Sequence, residues 1–254
     1  MSVTYKLTPI VVGVFPEFPV RRFLYGFAGD DVVEAPCISW LARGSDGSTV
    51  LVDTGPPEPT DFSSTLHVGL KAGPQHRIDV ALARVGLDPD EVQTVVFTHL
   101  HFDHCAHSEF LPHARVLVAR EELRYAVAPL DAHRRGYEVR YHDLKPAWMS
   151  NFGRIEPIDG LTQISEGCKV LPLPGHSPGS VGVFFDTARG RYCAAGDLVS
   201  RVENWKDARG EHVAPALHSS LEACGTSFAL MEREADVVLA SHDYRSMDLS
   251  GLGS

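Results

Sequence analysis

The segment Thr98-His99-Leu100-His101-Phe102-Asp103-His104 gathers three imidazoles and one carboxylate directly after the apolar run Thr94-Val95-Val96-Phe97. A short run rich in β-branched residues reads as a buried strand, and continuing its two-residue period sets His99 and His101 on one side. Both can grip the same ion. Asp103 and His104 fall where the strand has ended and the chain turns, so they face elsewhere and suit a second ion beside the first. Any fold this chain adopts must therefore deliver the end of a buried strand to a metal cluster. Mixed imidazole and carboxylate donors suit Zn²⁺, and iron, manganese and cobalt accept similar sets.

Three later segments repeat the arrangement. Val170-Leu171-Pro172-Leu173-Pro174 runs into Gly175-His176-Ser177-Pro178-Gly179-Ser180, a loop whose glycines allow close backbone approach while His176 projects from its tip. Tyr192-Cys193-Ala194-Ala195-Gly196 leads to Asp197, and Val237-Val238-Leu239-Ala240-Ser241 leads to His242. Four strands thus end in metal-binding groups. In layered α/β domains ligands collect beyond one edge of the sheet, so convergence on one site is the economical expectation.

The ordered set His99-x-His101-x-Asp103-His104, His176, Asp197 and His242 resembles the metallo-β-lactamase superfamily, and most of all its N-acyl homoserine lactone hydrolases, the quorum-quenching lactonases. The likeness runs from about Pro36 to Tyr244 and includes Leu51-Val52-Asp53-Thr54-Gly55. The resemblance implies an α/β fold: an αββα sandwich of two mixed sheets flanked by helices. It also implies that His99, His101 and His176 hold one metal, that Asp103, His104 and His242 hold the other, and that Asp197 bridges them. Asp53 would orient a ligand histidine from behind.

The expected activity is that of a metal-dependent hydrolase with two divalent ions, zinc foremost. A metal-bridging hydroxide opens a lactone or cleaves a carboxylic ester, and Asp103 takes the proton as the tetrahedral intermediate collapses. Asp103 and Asp197 are the catalytic carboxylates in this reading. Alternatives on the same fold are a thioesterase, an amide or lactam hydrolase, and a diiron oxygen-using enzyme. The β-lactamases of the superfamily that use two zincs usually carry cysteine at the position of Asp197, and the diiron proteins generally carry glutamate at that of His101.

The chain departs from the lactonase pattern in three places. Ser200 stands three residues beyond Asp197, where those enzymes generally have a tyrosine, leaving Tyr244, Tyr141 or an ordered water as substitutes. Ala106-His107 replaces the familiar Gly-Gly, and Ser180 stands where many relatives repeat a histidine. For substrate contacts the sequence offers Phe18, Ser200, Trp148, Trp205 and Tyr244. The aromatic stretch Phe15–Phe27 lacks clean alternation and reads as a loop over something apolar; Tyr137–Phe152 is a second candidate lid.

Composition narrows the partners. With a formal charge of −10 and dispersed Lys and Arg, the chain lacks the basic face that nucleic acid requires; a small neutral or apolar substrate fits better. The 254 residues are 44% hydrophobic, with no linker, repeat or composition break, so residues 1–254 are expected to form one hydrolase domain. The start has no signal-peptide pattern and no run reaches the ~18 apolar residues that span a bilayer, which predicts a cytoplasmic protein without membrane contact. A homodimer is the one protein partnership expected. Five scattered cysteines argue against disulfides and against a thiolate metal site. His67, His113, His133 and His218 read as surface or capping residues, and His107 as a surface histidine or a proton shuttle.

Strands are expected at Leu7–Val14, Pro36–Ala42, Thr49–Val52, Thr94–Thr98, Arg115–Val118, Lys169–Leu173, Ser180–Phe185, Arg191–Ala195 and Val237–Ala240. Helices are expected at Arg77–Val85, Arg120–Val127 and Leu217–Arg233.

Overall fold

Single strands of this chain send alternate side chains into two different apolar layers. In the computed structural model, which describes residues 2–67 and 69–250, Val50 and Val52 point into one buried cluster and Leu51 between them into another. Likewise Val183 and Phe185 join one cluster, and Phe184 a third. A strand buried on both faces needs partners on both, so three apolar layers separate two sheets and two helical coats.

The first sheet has the order β1 (Tyr5–Pro19), β2 (Val32–Gly44), β3 (Thr49–Val52), β4 (Thr94–Val96), β5 (Arg115–Ala119), β6 (Ile155–Ile158). Its first three strands are antiparallel neighbours, and β3 to β6 pair in parallel. The second sheet runs β11 (Val237–Leu239), β10 (Gly190–Ala194), β9 (Val181–Thr187), β8 (Cys168–Pro172), β7 (Thr162–Ser165), with only β10 and β11 parallel. Tyr5, Trp40, Val96 and Leu117 of the first sheet meet Val170, Phe185 and Tyr192 of the second in the middle layer. The helices are α1 (Asp61–Leu66), α2 (Ile78–Arg84), α3 (Arg120–Val127), α4 (Val202–Trp205), α5 (Leu221–Glu234) and α6 (Arg245–Ser250). Ile78, Leu82 and Ala126 pack on the outer face of the first sheet. Cys224, Phe228 and Met231 of α5, one helical stripe, pack on that of the second. The expected αββα sandwich of two mixed sheets is what forms. Among the described residues no helix is long and apolar enough to cross a membrane.

Three departures from the expected elements have local causes. β4 stops at Val96, two residues early, because the Thr98 N–H is taken by the Asp53 carboxylate at 2.7 Å rather than by a neighbouring strand. His99 and His101 therefore leave from the loop beyond the strand. β1 continues to Pro19 through register shifts at Val11/Gly13 and Phe15/Phe18; bulges spoil the alternation in the first part of the aromatic stretch, and the expected loop is confined to residues 20–27, a 3-10 turn followed by irregular chain. Helix α5 starts at Leu221 instead of Leu217, because Ser220 caps it by accepting the Ala223 N–H. The short edge strands β6 and β7 were not foreseen; they alternate weakly and are largely half-buried or exposed.

Candidate metal centre

The ends of five strands meet at one place. Asp53 follows β3, the His99–His104 loop follows β4, His176 follows β8, Asp197 follows β10 and His242 follows β11. All five histidines are buried.

Nε2 of His99 and Nε2 of His176 lie 3.1 and 3.0 Å from Nδ1 of His101. Their far nitrogens decide what those atoms carry. His176 Nδ1 donates to the Leu217 carbonyl at 2.8 Å. Thr98 Oγ1 donates to Asp53 and so is left to accept from His99 Nδ1 at 3.1 Å. In the neutral rings both Nε2 atoms then present lone pairs to His101. Converging lone pairs are a cation's environment, and donor atoms ~3.3 Å apart are what tetrahedral zinc with ~2.0–2.1 Å Zn–N bonds requires. Burial depresses the pKa of all three imidazoles, that of His176 to about 4 even though Asp197 opposes the shift.

The second set is charged. His104 Nε2 and His242 Nε2 stand 3.2 and 3.1 Å from Asp197 Oδ1, and Asp103 approaches the same rings at 3.9 and 3.7 Å. His242 Nδ1 donates to the Pro36 carbonyl at 2.9 Å, and His104 Nδ1 to Asp53 Oδ2 at 2.8 Å. In neutral rings the facing nitrogens would be acceptors aimed at a carboxylate, so a proton or a metal ion must stand between. Burial alone would lower both pKa values, but Asp197 together with Cys37 outweighs it at His242, and Asp197, Asp53 and Asp103 together do so at His104; both are held well above the usual imidazole range. Asp197 Oδ2 also lies 3.9 Å from His176 Nε2. One carboxylate thus reaches both sets, and these seven side chains could hold two neighbouring divalent ions.

Several residues that position this centre escaped the sequence reading. Buried Glu122 accepts the Leu100 N–H at 2.9 Å and the Tyr137 and Ser177 hydroxyls at 2.6 Å each. It ties the motif loop to the His176 loop and to a ring that packs edge-on against His101 at 4.5 Å. A Cβ on Gly136 would come within 2.5 Å of His101 Cδ2, so only glycine leaves room for that imidazole. Ser241 donates to Asp197 Oδ1 at 2.6 Å. The one local signal was a carboxylate on the buried stripe of α3, four residues before Ala126.

Above the centre lies a cavity of about 350 Å³, within the range of small-molecule sites. His101, Asp103, His176, Asp197 and His242 line its floor, and Phe15, Phe18, Phe23 and Phe102 its walls; Ser200 and Phe18 are the two expected substrate contacts it contains. The other three do not line it. Trp148 is turned into the core beside Phe152, Trp205 packs on His212 and Phe228, and the Tyr244 hydroxyl donates to Glu34 at 2.8 Å on the surface. Tyr141 packs against Phe62 and Arg134 instead.

The histidine reading also needs correction. His67 is buried, stacks on Phe102 at 3.4 Å, bonds Glu138 at 2.9 Å and lines the cavity. His133 is buried beside Tyr125, with Nε2 donating to the His218 carbonyl. His107 is buried outside the cavity lining in a left-handed conformation (φ 67°), which fits neither a surface residue nor a shuttle. His113 is exposed and His218 half-buried. The cysteines are free and buried, but Cys37 is not remote from the centre: its sulfur lies within 4.8 Å of donor atoms of Asp103 and His242.

The family model of the metallo-β-lactamase superfamily matches residues 33–242, and the chain belongs to that superfamily. Its curated relatives set it with the lactonases, as a metal-dependent hydrolase. The N-acyl homoserine lactonase of Bacillus thuringiensis is 28% identical over 185 residues, 69% of either chain. Metallo-beta-lactamase domain-containing protein 1 of Xenopus laevis is 27% identical over 247 residues, 95% of this chain and 87% of its own. A crystal structure of a mutant of the Bacillus thuringiensis enzyme AiiA, with N-decanoyl-L-homoserine bound at its active site, superposes with a TM-score of 0.75. It covers 98% of this chain and 97% of its own at 22% identity, a likeness of fold.

Proposed function

We propose that this chain hydrolyses the ester bond of a small lactone or carboxylic ester at a dinuclear zinc centre. The observation that carries the reading is the position of Asp197, with one oxygen 3.1 and 3.2 Å from His242 and His104 and the other 3.9 Å from His176. In this reading His99, His101 and His176 hold one ion, Asp103, His104 and His242 the other, and Asp197 is shared. When bound, two such ions supply an activated water near neutral pH and positive charge for the substrate carbonyl. Asp103, at the edge of the cavity floor, receives the proton on a carboxylate oxygen and passes it to the leaving oxygen. The phenylalanine walls exclude water and seat an apolar or ring-bearing body, which makes N-acyl homoserine lactones, the substrates named for the Bacillus relatives, the reference compounds.

Ser200 cannot reach as a tyrosine would. Its hydroxyl donates back to the Asp197 carbonyl at 3.3 Å, so proton delivery falls to Asp103 in this reading. The test is hydrolysis by the zinc-loaded protein across lactones, esters, thioesters and lactams. Ring opening or ester cleavage should exceed the other reactions by at least about tenfold, a ~1.4 kcal/mol preference in barrier. Preference for thioesters or lactams, or no hydrolysis of any, would overturn the proposal.

A further inference from the structure

We infer that the cavity binds an anionic substrate, one that carries a carboxylate or phosphate group away from the scissile carbonyl, held by Arg22 and Arg135. The inference rests on the hydrolase reading and departs from the neutral substrate that composition alone suggests: the body stays apolar, but one end carries charge.

Both arginines line the cavity above the metal-ligand floor. Neither guanidinium has a hydrogen-bond or ion-pair partner among the described residues, whereas neighbouring Arg21 pairs with Asp30 at 3.0 Å. Arg22 instead lies over the Phe18 ring, 4.9 Å from its centroid. A guanidinium held over an aromatic ring without a protein hydrogen-bond partner keeps its N–H groups free, and such groups can grip a carboxylate or phosphate in two places. Burial, then the neighbouring Arg135 charge, lower the Arg22 pKa, and Asp103 only partly opposes them. Asp103 itself faces His104 and His242. Two like charges thus share a small cavity, and neither makes an ion pair with Asp103 or Asp197 on its floor. The phenylalanine walls add a place for an apolar body, so the fitting ligand is an apolar or aromatic acid whose hydrolysable ester or lactone sits at the floor.

Binding separates this inference from the reaction. Phenylacetate, para-phenylenediacetate and para-phosphonooxyphenylacetate share one ring and one carboxylate for the metal centre; the latter two add a second anion at the far end. Calorimetric titration of the zinc-loaded protein should show one or both of the probes with two anionic groups binding about tenfold or more tightly than phenylacetate, as expected of a charge-assisted hydrogen-bonded pair. The tighter one identifies the oxyanion. The Arg22→Gln, Arg135→Gln double variant should lose that advantage while its affinity for phenylacetate holds. Both side chains are at least partly exposed, and Arg22→Lys with Arg135→Lys, which keeps the charges, should restore part of it. Equal binding of all three probes by the unaltered protein, or an advantage that survives the double glutamine variant, would overturn the inference whether or not any ester is turned over. Failure to hydrolyse any lactone or ester while the probes behave as stated would strike the proposed reaction alone.

Discussion

His99, His101 and His176 meet as three neutral imidazoles whose pKa values burial depresses, whereas His104 and His242 meet Asp103 and Asp197, which raise theirs. Both sets are buried to the same degree, so burial does not distinguish them. The carboxylates do. The first set offers lone pairs ready for a cation, and the second offers a charge balance that protons satisfy until metal arrives. The bridging Asp197 belongs to both, and its own pKa is held well below the usual carboxylate value: burial opposes this, but His242 and His104 prevail.

Removing the shared group should have the largest effect. Asp197→Ala takes one anion from both sets and leaves His104 and His242 facing each other across a ring separation of 5.3 Å. Hydrolysis should fall by at least on the order of 10²–10³, the loss typical of one charge-stabilising group at an active site. Metal content should fall with it. Retention of two ions by that variant would show that the two sets are independent and that Asp197 does not join them.

A smaller effect sharpens the contrast. The metal-free protein holds protons on the second set more tightly than ordinary imidazoles do, because the neighbouring carboxylates raise the pKa values of His104 and His242 well above the usual range. Metal must displace them, so affinity at this set should rise with pH until those raised values are passed. The first set is already uncharged at neutral pH and should be nearly indifferent to pH until acidity approaches the His176 value of about 4. Calorimetry in buffers of different ionisation enthalpy should find that one equivalent of metal releases more protons than the other. Equal release by both equivalents would mean that the carboxylates do not set the difference.

The legible part of this protein was the part written in consecutive residues. Each metal-binding side chain follows an apolar strand, and strand ends in a layered fold share an edge, so His99, His101, Asp103, His104, His176, Asp197 and His242 could be grouped before their distances were known. The αββα layering was legible for the same reason, because runs such as Val50-Leu51-Val52 are apolar at every position and need two partners. Contacts across long sequence separations were not. Arg22 and Arg135 share a cavity although more than a hundred positions separate them, and no period or motif links them. Glu122 and Gly136 act only through loops they meet in space. Aromatic residues misled in the other direction: Trp148, Trp205 and Tyr244 look like pocket material by type, yet core packing and a surface hydrogen bond hold them elsewhere.

The most direct test of the paired centre is to count zinc per chain after chelation, reloading and desalting, with lactone opening measured on the same samples. Two equivalents should bind, activity should reach its full value only when the second has been taken up, and chelation should abolish it. Saturation at a single equivalent, or undiminished turnover by the chelated protein, would contradict a centre built by seven side chains around two ions.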